Sequence, residues 1–242
     1  MSLVDRFVDA LWIEDGLSPN TLAAYRRDLT LLQAWLAKEC GATALEAARE
    51  TDLLAYIAAR HAGSRATSAN RRLTVFKRYF RWALREHLVT EDATLRLGHA
   101  RQPLRVPQVL SEAQVEALLD APDVATPLGL RDRAMLELLY ASGLRVSELV
   151  TIASVRVDLR AGVLRVVGKG SKERLVPFGA EAQDWITRYL AEARAAILAG
   201  QQSDALFVTA RGAAMTRQMF WALVKRHAAT AGITAPLSPH TL

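Results

Sequence analysis

The sequence predicts a mainly α-helical protein of two domains, the second of which carries a three-stranded antiparallel sheet. Three observations predict this. Apolar residues recur at helical spacing in four successive stretches before residue 87. A polar segment holding Pro103 and Pro107, HARQPLRVPQ, then interrupts the pattern. Beyond it helical spacing resumes, and between Ser154 and Phe178 it gives way to a period of two. The domains are expected at 1–107, with the linker, and 108–242, and a chain of 242 residues gives each of them room for its own core.

In the first domain, Val4, Phe7, Val8, Leu11 and Trp12 keep helical spacing until Gly16. Ser18 and Pro19 open a second helix with Leu22, Tyr25, Leu29, Leu32 and Leu36 on one face, closed by Gly41. Thr51 caps a third that carries Leu54 and Ile57 inward, and the fourth spans about Thr67 to Glu86. The stretch from His87 to Val109 is read as an interdomain linker.

The second domain starts at a capping box, Ser111 and Gln114 in LSEAQVEALL, ahead of Val115, Leu118 and Leu119. A strongly apolar helix, LRDRAMLELLYASG, ends at Gly143 and is followed by the short helix RVSELV. Then SVRVDL, VLRVV and ERLVPF, separated by RAG and GKGSK, form the meander. Helices return at about Glu181 to Leu198 and Thr216 to Ala231, the latter capped by Thr216 and ended by Gly232.

Composition narrows the function classes. Hydrophobic residues make up 51% of the chain, and 13 glycines and 8 prolines are too few for a fibrous or disordered protein. No run of 18 apolar residues appears, and MSLVDRFVDALW carries acids where a secretory leader needs an uncharged core, so a cytoplasmic location is expected. Cys40 is the single cysteine and closes no internal disulfide, which suits a reducing compartment and a structural role.

The net charge of +6 points to nucleic acid or another acidic partner. There is no acid between Asp52 and Glu86, where eight basic residues stand. At about 100° per residue, Arg71, Lys77, Arg78, Arg81 and Arg85 fall within a third of a turn. A solvated face mixes signs, so a face of one sign is better explained by phosphates. The aromatic residues are too scattered for a single-strand stacking platform, which favours duplex DNA.

Three further stretches could carry chemistry. VVGKGSKERLVP fails the nucleotide-binding loop pattern, because Gly170 and not Ser or Thr follows Lys169, so an ATPase is excluded. What remains is a tight turn presenting Lys169 and Lys172, with Arg174 just into the next strand. In ASGLRVSELV, Arg145 stands at the start of a helix, placed for paired hydrogen bonds to a phosphate, and Glu148 could box that helix or orient the guanidinium. His61, His87, His99 and His227 lack metal-ligand spacing, and no metal site is expected; His240 lies between a proline and a helix start in SPHTL. From the GKGSK turn alone, or from Arg145 alone, ordinary solvated surface residues are the better explanation.

Taken in order, GLRVSEL, GKGSKERLVP and SPHTL resemble the tyrosine recombinases of the phage integrase family, in particular their Xer branch. The resemblance extends to FVDALWIEDGLSPNTLAAYRRDL, LSEAQVEALLDAP, LRDRAMLELLYASGLRVSELV and MTRQMFW, and so spans nearly the whole chain. It implies a SAM-like core-binding domain followed by the α+β recombinase catalytic domain, closing as a clamp on duplex DNA. It also implies attack by a tyrosine on a scissile phosphate, giving a 3′-phosphotyrosyl bond with no metal or nucleotide cofactor. Arg145, Lys169 and His240 match the first catalytic arginine, the general-acid lysine and the histidine that opens an HxxR motif. By the same resemblance Arg71, Arg72, Lys77, Arg78, Arg81, Lys172 and Arg174 are expected to contact DNA. The implied context is the resolution of chromosome dimers at cell division, with the recombinase XerC in a heterotetramer and the translocase FtsK acting through the C-terminal region.

The sequence stops two residues after His240, before the arginine of HxxR and the family's nucleophilic tyrosine. Tyr25, Tyr56, Tyr79, Tyr140 and Tyr189 lie within amphipathic helices and are expected to pack, not to attack. The favoured reading is a C-terminally truncated form of an active recombinase that binds DNA without cleaving it. The alternative is a naturally short DNA-binding module, although a decayed module has no reason to keep Arg145, Lys169 and His240 in register.

Overall fold

A computed structural model describes residues 1–41, 44–61, 66–100, 109–168, 173–235 and 237. The chain divides into two compact units, Met1–Arg105 and Val106–Leu242. Each has its own apolar core. No described helix is long and apolar enough to cross a membrane.

The first unit contains α1 (Leu3–Asp15), α2 (Pro19–Glu39), α3 (Glu50–His61) and α4 (Ala66–Arg85), with a short 3-10 turn at Leu45–Ala47. Ser2 and Asp5 form a capping box at α1, each accepting the other's backbone N–H at 3.1 Å. Gly16 ends it in the left-handed region at φ 58°, which a residue without Cβ adopts at little cost. Phe7, Leu29, Leu32, Leu53, Tyr56, Phe76 and Phe80 are wholly buried among these helices.

Three expectations are corrected here. The start of α3 is closed by Asp52, whose Oδ2 accepts the Arg49 N–H at 2.9 Å, so Thr51 lies inside the first turn and is no cap. That helix buries Leu53 and Tyr56, while Leu54 stands 49% exposed. The segment after α4 is also more than a linker: Leu97 is buried, Leu88, Val89 and Ala93 pack on the core, and Asn70 exchanges two hydrogen bonds with Ala100, of 2.9 and 2.8 Å. Proline and glycine punctuation marks where helices stop but not whether the following chain packs. Trp12, which shares the helical spacing of Val4, Phe7, Val8 and Leu11, is mainly exposed.

The second unit opens with α5 (Glu112–Asp120), where Ser111 and Gln114 form the capping box at 3.0 and 3.3 Å. Then come α6 (Pro127–Ser142), ended by Gly143 at φ 58°, and α7 (Val146–Thr151). Gly129 in the first turn of α6 cannot be replaced freely, because a Cβ there would sit 1.9 Å from the Asp123 carbonyl oxygen. The antiparallel sheet has the order β1 (Val157–Asp158), β2 (Val163–Val167), β3 (Glu173–Pro177). Val163 pairs with Pro177 and Val167 with Glu173, so Leu164 and Val166 face the core and Arg165 and Leu175 face outward.

β1 is only two residues long because a 3-10 turn, Ser154–Arg156, takes up the first half of SVRVDL. The predicted helix over 181–198 is two helices, α8 (Ala180–Glu192) and α9 (Arg194–Leu198), meeting at Ala193. The Arg194 guanidinium turns to the carbonyl oxygens of Ser203, Ala205 and Leu206 at 2.7–3.3 Å, tying the break to the loop that follows. Last is α10 (Arg217–Thr230), capped by Thr216, whose Oγ1 accepts the Met219 N–H at 3.1 Å.

Candidate active site

The site forms where the left-handed turn at Gly143 redirects the chain into α7. Arg145 occupies the cap position of this helix in an extended conformation, and its side chain is 63% exposed. Glu148, one turn on, is 9% exposed at its side chain and does both things open to it in the sequence. Its Oε2 accepts the Arg145 backbone N–H at 2.9 Å, and its Oε1 accepts Arg145 Nη1 at 3.1 Å.

The third member comes from the sheet. Arg174, second residue of β3, donates from Nη1 and Nη2 to the two carboxylate oxygens of Glu148, both at 2.9 Å. Each oxygen therefore receives two donors, which fills the acceptor capacity of a carboxylate. The Arg174 guanidinium, aided by the Arg145 donors and opposed by burial, holds the Glu148 carboxyl at about 2 against an ordinary 4.5. Glu148 is thus ionised and saturated, unfit as a proton acceptor and well built as a clamp. Nε and Nη2 of Arg145 make no hydrogen bond among the described residues, which leaves an exposed planar fork suited to two non-bridging phosphate oxygens.

Lys169 and Lys172, between β2 and β3 in the sequence, and His240 lie outside the described residues. The two strands are held in register by the Val167–Glu173 pairing, and Glu173 accepts Arg156 Nη1 at 2.6 Å. Ahead of His240, Ile233 and Leu237 pack on the core of this unit.

A buried charge cluster nearby was missed in the sequence. Asp132, 1% exposed, accepts Arg131 Nε and Nη2 on Oδ1 at 3.0 and 2.7 Å, and on Oδ2 Arg226 Nη2 at 3.2 Å and His227 Nε2 at 2.9 Å. Arg131 Nη1 donates to the Val208 carbonyl at 3.0 Å. The cluster joins α6 to α10 in the core. Its signal was readable: Asp132 precedes the buried Leu136 and Leu139 by four and seven positions, which puts it on the inward face, where a charge requires partners.

The tyrosines divide. Tyr56, Tyr79 and Tyr189 are wholly buried, and burial raises the pKa of each phenol, a poor setting for a nucleophile. Tyr79 donates to Glu46 and Tyr189 to the Leu206 carbonyl. Tyr140 departs from the expectation of packing, since it is 52% exposed on α6. The sulfur-bearing Cys40 is exposed at the end of α2.

In the first unit the basic face of α4 exists, but it is not of one sign. Arg71 makes a two-point pair with the buried Asp28 of α2, at 2.5 and 3.1 Å. Arg78 pairs with Asp15 and Arg85 with Glu14, both acids from α1. Arg72 also engages other groups. Lys77, half-buried, and Arg81, exposed, make no ion pair among the described residues, so neither is engaged by a carboxylate there.

Comparison with known proteins places this geometry in context. The phage integrase family matches residues 108–242, and the phage integrase N-terminal SAM-like domain matches residues 4–87. Tyrosine recombinase XerD of Ralstonia nicotianae is 64% identical over 99% of the chain and 77% of its own length. The XerD of Pseudomonas aeruginosa is 51% identical over 99% of the chain and 80% of its own length. Among solved structures, a lambda integrase dimer bound to a COC′ core site superposes with a TM-score of 0.72 at 17% identity, covering 99% of the chain and 82% of that one. XerH bound to a palindromic difH substrate gives 0.72 at 17% identity over 91% and 66%. With a SAM-like unit of four helices, a catalytic unit built around a three-stranded sheet, and relatives 64 and 51% identical over 99% of its length, this chain belongs to the phage integrase family of tyrosine recombinases.

Proposed function

We propose that the protein is a site-specific DNA recombinase of the XerD kind, in which Arg145 binds the scissile phosphate. The observation that carries this reading is the edge of Arg145 formed by Nε and Nη2, without a hydrogen bond among the described residues while Nη1 is held at a helix start by a saturated, ionised Glu148. A pentavalent phosphorane carries more negative charge than the diester it comes from, so a pre-placed guanidinium stabilises the transition state more than the substrate.

In this mechanism a tyrosine attacks the phosphorus in line, forming a 3′-phosphotyrosyl bond and breaking the bond to the 5′ oxygen. Lys169 gives that oxygen its proton, without which it is a poor leaving group. His240 donates to a non-bridging oxygen or assists deprotonation of the nucleophile. The 5′ hydroxyl of a partner strand reverses the step through a Holliday junction. Residues 1–107 serve as the core-binding domain and 108–242 as the catalytic domain. Lys77 and Arg81 supply phosphate contacts from α4, with Arg72 and Lys172; Arg71 and Arg78 contribute beside their carboxylate partners.

The biological context proposed is the one that the resemblance of the motifs implies: resolution of chromosome dimers in the cytoplasm at cell division, in a heterotetramer with XerC and under activation by FtsK. A protein of these 242 residues alone should bind duplex DNA without forming the covalent bond, since no described tyrosine lies in the site. The test is a nicked suicide substrate with the full-length protein, resolved on a denaturing gel. A protein–DNA adduct at a tyrosine beyond residue 242 supports the reading, and an adduct formed by residues 1–242 alone contradicts it.

A further inference from the structure

We propose that Arg174 is a positioning residue that neutralises Glu148, so that Arg145 stays available to a phosphate, and that ties the start of β3 to the start of α7. The inference rests on the reading of Arg145 as the phosphate-binding arginine and replaces the expectation that Arg174 contacts DNA.

Charge balance carries the argument. Glu148 contacts Arg145 through both the backbone N–H and Nη1, at 2.9 and 3.1 Å. Were these the only two groups present, the pair would sum to zero and a phosphate approaching Arg145 would meet a carboxylate at close range. Arg174 adds a second cation to the same carboxylate, through two bonds of 2.9 Å, and restores a net charge of +1 to the cluster. A carboxylate only 9% exposed also needs such compensation, because a buried charge without enough donors is costly.

Geometry adds a second role. Arg174 follows Glu173, which pairs with Val167 across the hairpin and receives Arg156 at 2.6 Å. The first two residues of β3 are therefore held from separate directions, Glu173 by Arg156 and Arg174 by Glu148. β3 begins at this point, so the Arg174–Glu148 pair references the β2–β3 pairing to the helix that presents Arg145. Both terminal nitrogens of Arg174 serve this link, while Nε and Nη2 of Arg145 make no hydrogen bond among the described residues.

The test compares the full-length protein with its Arg174→Ala, Arg174→Lys, Glu148→Gln and Arg174→Ala/Glu148→Gln variants. It uses duplex recombination-site DNA to measure affinity against salt, and a suicide substrate at saturating protein to measure the single-turnover rate of adduct formation. The expected result for Arg174→Ala is a rate lower by about 10²-fold, with an affinity and salt slope equal to the wild type. Arg174→Lys, which keeps the charge but loses the two-point geometry, should recover part of the rate. In the double variant the alanine change should add nothing, because its effect passes through Glu148. A salt slope smaller by about 1 in Arg174→Ala with the saturated rate unchanged would make Arg174 a phosphate contact and overturn the proposal. Additive effects in the double variant would also overturn it. If the wild type forms no adduct, the strand-transfer reading fails, and the salt slope alone then decides whether Arg174 meets phosphate.

Discussion

His227 Nε2 lies 2.9 Å from Asp132 Oδ2, and both side chains are buried between α6 and α10. The same carboxylate takes two bonds from Arg131, which is itself only 6% exposed. Removing the anion by Asp132→Ala leaves a buried guanidinium without its counter-charge, a loss of about 3–5 kcal/mol. Urea denaturation followed by near-ultraviolet circular dichroism should show the second unit unfolding at markedly lower denaturant.

The cations of α4 should separate into two classes. Arg71→Ala strips the buried Asp28 of a two-point partner and is expected to destabilise the first unit by more than about 1 kcal/mol. Lys77→Ala and Arg81→Ala should change stability by no more than about 0.5 kcal/mol. Each should instead reduce the slope of log affinity against log salt by about 1. Thermal melts and salt-dependent duplex binding on the same three variants check the division.

Glu148 predicts an acid-side signature. Its carboxyl, held at about 2 when folded against an ordinary 4.5, contributes stability at neutral pH that is lost as pH falls through that interval. Above about pH 5 the group stays ionised in both folded and unfolded protein and adds no slope. In Glu148→Gln the pH dependence of unfolding free energy should flatten between about pH 4.5 and 2 relative to wild type. A steeper acid limb in the variant would contradict the assignment.

Gly129→Ala tests a constraint that no local pattern announces. The added Cβ would lie 1.9 Å from the Asp123 carbonyl oxygen, so the 123–129 turn must shift. A lower melting temperature is expected, despite the higher helix propensity of alanine. A raised melting temperature would show that the turn yields freely.

Much of the fold was legible because its signals are local. Ser111 with Gln114, Thr216 before Met219, and the glycines at 16 and 143 mark helix ends through groups three or four residues apart. The alternation that predicted the meander follows from Leu164 and Val166 facing inward. What escaped depends on distant residues. The acid-free run of α4 looked like a face of one sign, but Asp28, Asp15 and Glu14 reach Arg71, Arg78 and Arg85 across 43, 63 and 71 positions. Leu54 and Leu53 are adjacent on α3, and only the position of α2 and α4 decides that Leu53 is buried.

The candidate site shows the same division. Arg145 and its possible tie to Glu148 were readable from three residues of spacing, whereas the second half of the clamp, Arg174, arrives from 26 positions away through sheet pairing. Lys169 and His240 are known here from sequence resemblance, and their geometry with Arg145 lies outside the described residues.

The most direct measurement is adduct formation and duplex affinity for Arg145→Ala beside wild type, in the full-length protein on a suicide substrate. The expected result is loss of the covalent protein–DNA band by at least about 10²-fold, with affinity within a few-fold of wild type. A variant that still cleaves at the wild-type rate, or that loses cleavage only in proportion to lost binding, would contradict the role of Arg145 in stabilising the transition state.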